Sequence, residues 1–292
     1  MIPAAISVIV PTNRISPLLH RCLASLAGQY IDLPVEILLV VNGPASGLSV
    51  SLPGVKVLHE TKRGPAASRN KGVSASKGEY IAFIDSDCIA SPRWLNSAVS
   101  ALQNKMDAAV VAGRIVRTGA DRSWVSLFDS VSYLQQENYV RYSGACVTAN
   151  VVMRRSTFER VGAFDEQFYE AACEDWEWSG RARQAQVTIM YDAFAIVEHP
   201  CMLRLCELRL KARRLGRGEV ILRQKQQDQD NEDASNNSLV REIYRQIRRI
   251  GKVKGVRSHE RVALYLISLL VAFWIWNSRR LILSGDCGDS NA

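Results

Sequence analysis

Asp85-Ser86-Asp87 places two carboxylates two residues apart, directly behind the apolar run Tyr80 to Ile84. Hard divalent cations such as Mg²⁺ and Mn²⁺ take oxygen ligands and are held through one or two carboxylates plus substrate phosphates. The same three residues also fit a solvated turn or the cap of a helix beginning near Ser91, so the motif alone decides nothing. Glu174-Asp175, with Glu177 close behind, is a second acidic group, preceded by Gly162-Ala163-Phe164-Asp165-Glu166. A carboxylate facing a bound hydroxyl compound can serve as a general base. Acids are equally at home in the first turn of a helix, where the macrodipole favours them. Trp176 and Trp178 flank the pair; either could stack on a ring, and at this spacing at least one belongs to a core. His199 follows an apolar run and precedes Pro200; a lone His there is more often a hydrogen-bonded structural residue, though a neutral imidazole could complete an oxygen-rich metal site. Between Lys62 and Gly72 a loop entering a helix carries four cations, Lys62, Arg63, Arg69 and Lys71, which suits a diphosphate or simply a solvated surface.

The elements that must position these residues alternate. Ile6 to Val10 reads as a buried strand ending at Pro11, Leu18 to Leu26 as a helix, and Val35 to Val41 as a strand closed by Asn42-Gly43-Pro44. Val55 to Leu58 is a third strand, Ala66 to Ala75 a helix, Tyr80 to Ile84 a fourth strand, Pro92 to Leu102 a helix and Ala108 to Ala112 a strand. This alternation predicts an α/β fold with a doubly wound, mostly parallel sheet. Ligands in such sheets bind at the carboxyl ends of strands, so the turns after Val10, Val41 and Ile84 should face the chemistry. Farther on, the pattern predicts one helix over Trp124 to Tyr142, a strand over Val147 to Met153 and a helix over Cys173 to Gln184. Short strands at Thr188 to Tyr191 and Ala195 to Val197 complete it.

Charge divides the chain. Residues 1–200 hold 19 basic and 19 acidic side chains, whereas residues 201–292 hold 18 and 10, so the whole net charge of +8 lies in the last third. A hydrophobic fraction of 47% with 23% charged residues excludes a disordered chain. Seven scattered cysteines without a C-x-x-C pattern read as reduced thiols in a cytosolic setting, with no zinc framework. The first eleven residues lack the basic start and cleavage site of a secretory signal.

Taken in order and spacing, these segments are more specific than any one of them. The chain resembles the family 2 glycosyltransferases, over roughly residues 5–220. The resemblance is carried by Ser7-Val8-Ile9-Val10-Pro11-Thr12-Asn13, Arg69-Asn70-Lys71-Gly72, Tyr80 through Asp87, Gly162 through Glu166, and Glu174-Asp175. It implies the GT-A nucleotide-sugar fold. It also implies that Pro11 and Thr12 line the nucleotide pocket, that Arg69 contacts the nucleotide, and that Asp85 lies near the ribose. Asp87 would hold a divalent cation, Mg²⁺ or Mn²⁺, with His199 reaching the same ion. Asp175, paired with Glu174, would be the catalytic base of an inverting displacement. Relatives in this family usually carry an acidic turn after the second strand that recognises the base. Here Val41-Asn42 stands there, and either the Asn42 amide or backbone groups would have to hold the base.

The basic third sets location rather than reaction. Leu239, Ile243, Ile247 and Ile250 form a helical stripe, with Arg241, Arg245, Arg248 and Arg249 mostly on other faces, a pattern suited to an anionic membrane surface and almost as well to an amphipathic helix docked on the catalytic domain. Val262 to Trp276 is uncharged over 15 residues. As a helix that is about 22 Å, against a hydrocarbon core of about 30 Å, which favours membrane association over a full span. The expected organisation is a catalytic domain at 1–223, a polar linker at 224–238 and a basic, apolar helical tail at 239–292. The expected partners are a nucleotide-sugar donor, a glycan or lipid-linked acceptor and an anionic membrane, at its cytoplasmic face, as a peripheral protein or through a single C-terminal anchor. No nucleic acid is expected, because no recognisable binding motif accompanies the basic residues. A nucleotidyltransferase would want a Gly-rich basic loop after the first strand, and a dehydrogenase would want G-x-G-x-x-G there; neither is present.

Overall fold

A computed structural model describes residues 5–43, 53–105, 108–227, 239–253 and 255–284. Pro44, most of the expected linker and Cys287 lie outside the described residues. The chain divides into two compact units.

The first unit comprises Met1–Arg117 and Leu134–Pro200. Its elements run β1 (Ile6–Thr12), α1 (Pro17–Ala27), β2 (Val35–Asn42), β3 (Val55–Glu60), α2 (Pro65–Ala75), β4 (Tyr80–Ile84), β5 (Ile89–Ala90), α3 (Trp94–Asn104) and β6 (Ala108–Thr118). After a helix that belongs to the second unit, α4 (Trp124–Ser132), it resumes with α5 (Gln136–Ser143), β7 (Asn150–Arg154), α6 (Arg155–Val161), α7 (Glu174–Gln184) and β8 (Thr188–Pro200). The sheet order is β3-β2-β1-β4-β7-β6-β8-β5. β3, β2, β1 and β4 are mutually parallel, and β7 then pairs antiparallel with both β4 and β6. The parallel half is the part that strand–helix alternation reveals.

Alternation along β1 explains why the sheet is covered on both faces. Ile6, Val8 and Val10 pack into one apolar cluster with Leu19, Leu23, Leu95 and Val99 of α1 and α3. Ile9 faces the opposite cluster with Ala66 and Val73 of α2 and Trp178 of α7. Side chains of period two on a strand make this two-sided burial automatic. α1 begins where expected because the Ser16 hydroxyl accepts from the Leu19 N–H and Pro17 occupies the first turn.

The single helix expected over Trp124 to Tyr142 is two. α4 stops at Ser132, Leu134 takes a left-handed φ of 55°, and α5 restarts at Gln136, whose side chain bonds Val147 and Asn150. The two short strands expected after α7 are one long β8, and α6 is an element the pattern did not suggest.

The second unit comprises Thr118–Tyr133 and Cys201–Ala292, so its boundary falls before the residue 223 expected from sequence. It holds α4, α8 (Leu205–Gln227), α9 (Leu239–Gly251) and α10 (Ser258–Leu283). Residues 224–227, expected in the linker, continue α8. Its apolar core includes Leu208, Ala212, Val220, Ile250, Leu264, Val271 and Ile275. α8 and α10 approach closely at Gly216, where a Cβ would lie 2.6 Å from the Ile275 carbonyl oxygen. The Ser278 hydroxyl donates to the Arg213 carbonyl at 2.9 Å beside that crossing.

Candidate active site

β1, β2 and β4 are parallel, so their carboxyl ends share one sheet edge. Pro11 and Thr12 end β1, Asn42 ends β2, and Asp85 follows β4 directly. The edge thus gathers every turn that the sequence singled out.

Arg69 is the hub. It projects from α2, is 4% exposed, and lies over the Phe164 ring at 5.8 Å. Its guanidinium donates from Nη1 to Glu174 Oε1 at 2.9 Å and from Nη2 to Asp85 Oδ1 at 3.2 Å. Asp175 Oδ1 is 3.9 Å from Nη1. One buried cation therefore ties the turn after β4 to the first turn of α7. Burial opposes the guanidinium charge, but the three carboxylates outweigh it and hold the pKa above its ordinary value. Next to Arg69, Asn70 donates to the Phe164 carbonyl and to Glu166 Oε1 and accepts from the Phe164 N–H. The Arg69-Asn70 pair thereby fixes the segment that leads into α7.

The two acids of the pair are not equivalent. Glu174 is 3% exposed and faces Arg69. Asp175 is held from the other side by Thr148, whose hydroxyl donates at 2.8 Å and whose N–H donates at 3.3 Å. Both carboxyls are pushed above the ordinary carboxylate range, by burial in the first place; for Glu174 the adjacent Asp175 charge adds to it, and for both Arg69 pulls back. Cys173, just before them, takes a left-handed φ of 70°, a conformation uncommon for a residue with a side chain. Trp178 is buried against Phe158 and Phe164, whereas Trp176 is half-exposed and meets Tyr139 edge-on.

Asp87 and His199 form a second group. His199 Nε2 is 3.6 Å from Asp87 Oδ1, and Cys88 Sγ completes a cluster within 4.8 Å. Burial holds the Cys88 thiol well above its ordinary pKa, so it stays protonated, near the Ala149 carbonyl. A carboxylate and an imidazole remain, a donor set that fits Mg²⁺ or Mn²⁺ with other positions left for substrate oxygens. His199 Nδ1 lies 2.8 Å from the Pro200 carbonyl and 2.7 Å from Arg117 Nη1. Arg117 can only donate, so with Nδ1 accepting from it the proton sits on Nε2 and faces Asp87; with Nδ1 protonated and donating to the Pro200 carbonyl instead, Nε2 presents a lone pair toward Asp87.

Two expectations change with the structure. The Asn42 amide donates both hydrogens to backbone, to the Glu60 and Lys62 carbonyls, and its oxygen accepts from the Gly64 N–H. Asn42 therefore pins the loop after β3 and has no amide hydrogen left to offer a base. Gly64, at φ 116°, sits so close to Tyr169 that a Cβ would meet its backbone at 2.8 Å. The basic loop divides: Lys62 and Arg63 keep the solvated surface that the sequence allowed while leaning on acids of their own unit, and Arg69, expected at the nucleotide, turns inward. Lys62 pairs with Glu166, Arg63 lies 3.9 Å from Glu170 and over Tyr169, and Arg69 is internal. Thr12 is buried, its hydroxyl closing a turn onto Arg14, while Pro11 is half-buried. Neither shows a contact with the carboxylates. Thr148 and Arg117 were not singled out from sequence; for Thr148 the available signal was a polar residue, with Asn150 beside it, in the mostly apolar run 147–153.

Residues 7–162 match the family described as Glycosyl transferase family 2. A glycosyltransferase of Haloferax volcanii, AglE, is 27% identical over 225 residues, covering 74% of this chain and 73% of the relative. The pre-mycofactocin glycosyltransferase of Mycobacterium tuberculosis is 28% identical over 207 residues, covering 66% of this chain and 42% of that longer protein. Among solved structures, the mannosyltransferase PcManGT from Pyrobaculum calidifontis, in complex with GDP-Man and Mn²⁺, superposes with a TM-score of 0.53 at 15% identity. It covers 99% of this chain and 77% of its own.

Proposed function

Because the chain belongs to glycosyltransferase family 2, we propose that it is a divalent-cation-dependent, inverting enzyme that moves a sugar from a nucleotide-sugar donor to a hydroxyl of a glycan or lipid-linked acceptor. The observation that carries this reading is the Arg69 cluster, which joins Asp85 at the sheet edge to Asp175 at the start of α7. Asp175 takes the proton from the acceptor hydroxyl as its oxygen attacks the anomeric carbon from the face opposite the nucleotide. Displacement in one step inverts that carbon. Thr148 orients the Asp175 carboxylate, and its raised pKa brings the base nearer to neutral working pH. Glu174, buried against Arg69, positions the guanidinium rather than meeting substrate. Arg69 in turn aligns Asp85 and Asp175 instead of reaching the nucleotide. Pro11 and Thr12 line the nucleotide side of the same edge.

Asp87 and His199 would hold the cation, which when bound offsets the charge developing on the leaving diphosphate. The Mn²⁺ named with PcManGT supports a divalent cation here. Polysaccharide or glycoconjugate synthesis at the cytoplasmic face of a membrane fits the cationic second unit.

The test is a panel of UDP-, GDP- and dTDP-sugars with Mn²⁺ or Mg²⁺, reading nucleotide release and product anomer. One donor class should turn over, lose activity in EDTA and give the inverted product. No turnover and no cation-dependent nucleotide binding with any donor overturns the proposal.

A further inference from the structure

α10 has two unlike faces. Leu264, Ile267, Val271 and Ile275 are buried, together with Ser268, Ser278 and Arg279. On the other side Val262, Leu266, Leu269, Leu270 and Phe273 are exposed, the first two at 60% and 61%. At 100° per residue those five positions fall within an arc of roughly 100°, a continuous stripe along the helix. No charged residue interrupts the sequence from Val262 to Ser278. An apolar stripe of this kind left to water marks an interaction surface.

Its charge surroundings indicate the partner. α9 packs against α10 and buries Glu242, Gln246 and Ile250. The outward part of α9 carries Arg241, Arg245, Arg248 and Arg249, and the one acid of the helix, Glu242, is buried. Apolar insertion beside exposed cations matches an anionic lipid surface.

The length and apolarity of α10 also satisfy the requirement for a membrane span. Its packing opposes one. The buried face is fitted to α8, a helix with seven cations, through Gly216 and the Ser278 bond to Arg213. Arg279, 1% exposed, is tied to Glu219 of α8 and, at 2.8 Å, to Glu242 of α9. Crossing a bilayer would either strip α10 from these partners or draw their charges to membrane depth, and both are costly.

We propose that the second unit binds anionic lipid with α10 lying in the plane of the interface, its Val262–Phe273 stripe among the acyl chains, without crossing the bilayer. This rests on the membrane-associated reading above and specifies its geometry. Flotation of the full chain with phosphatidylcholine–phosphatidylglycerol vesicles should carry the protein upward, and pure phosphatidylcholine or high salt should weaken it. Leu266→Glu with Phe273→Glu should lower partitioning by about tenfold or more at unchanged helical content, because both lose apolar insertion. A second measurement fixes the course of α10. With Cys206→Ser and Cys287→Ser as background, Ser258→Cys and Leu283→Cys mark the two ends. In spheroplasts an impermeant maleimide should label neither end, and in broken membranes both.

Labelling of one end alone in intact spheroplasts means that α10 spans, which overturns the in-plane geometry and leaves membrane association standing. A protein that stays in the supernatant and does not float overturns both. Flotation unaffected by the double glutamate variant overturns the stripe as the contact, as does a lipid-independent dimer that this variant converts to monomer.

Discussion

Each unit buries one arginine among carboxylates, and the two clusters differ in how the charge is balanced. Arg69 faces Asp85, Glu174 and Asp175, with Asp87 nearby on the same turn, so acids exceed the cation. Arg279 faces Glu219 and Glu242, and these are also approached by Arg223 at 3.9 Å and Arg245 at 2.8 Å. The second cluster sets three cations against two acids and holds no surplus of negative charge, which suits a joint between helices. The first keeps a surplus of negative charge at a sheet edge, where a cation and a proton can be handled. A buried ion pair by itself indicates little about stability or function; the surplus and the location carry the meaning.

The largest expected effect tests the surplus directly. Asp175→Asn can keep one of the two Thr148 hydrogen bonds in near-isosteric form and removes the proposed base, and should lower turnover by about 10²–10⁴-fold with the fold retained. Turnover near wild type removes Asp175 from the role.

The second prediction sets the clusters against each other. Arg69→Met and Arg279→Met each strand buried carboxylates, and each should cost about 3–5 kcal/mol in thermal or denaturant unfolding. Replacing all of Arg279, Glu219 and Glu242 by apolar residues of similar size should recover most of that stability and leave transfer on a soluble acceptor intact. The matching replacement of Arg69 with Glu174 should not recover transfer, because Asp85 and Asp175 lose their common tie. Loss of transfer in the unit-two triple variant, with the fold retained, breaks the comparison.

The third and smallest effect is in pH. Asp175 must be ionised to act as base, and burial raises its pKa, so the acid limb of kcat/KM should lie above the ordinary carboxylate range. Because the folded-state pKa is raised for both acids of the pair, their contribution favours folding below the unfolded carboxylate value. It is lost as pH rises through the folded value. Removing the Arg69 charge should push the limb upward, because the guanidinium holds the Asp175 pKa down. A limb that stays put in Arg69→Met shows that the guanidinium does not tune the base.

Much of the first unit is legible locally. Ile6 to Val10, Val35 to Val41 and Tyr80 to Ile84 announce strands through apolar β-branched runs, and their turns mark the edge where Asp85 and Asp87 emerge. The second half resists because its signals are tertiary. Leu134 breaks an apparently continuous helix, with no Gly or Pro to mark the break. α8 and α10 look like a polar helix and an apolar one until Gly216 brings them together.

Residue type and order alone determined the family, the parallel half of the sheet and the acidic residues available for catalysis, because strand periodicity and short motifs are properties of neighbouring residues. Only the tertiary structure decided how those residues are used. Arg69 and Asn42 look from sequence like groups that reach for a ligand, and the fold turns both inward, one onto carboxylates and the other onto the loop after β3. The length of α10 fits a membrane span, but packing gives one face to α8 and α9 and leaves the other exposed. The physical reason is the same in each case. A polar or apolar group meets its partners across long stretches of chain, and burial, not sequence neighbourhood, sets which partner it takes.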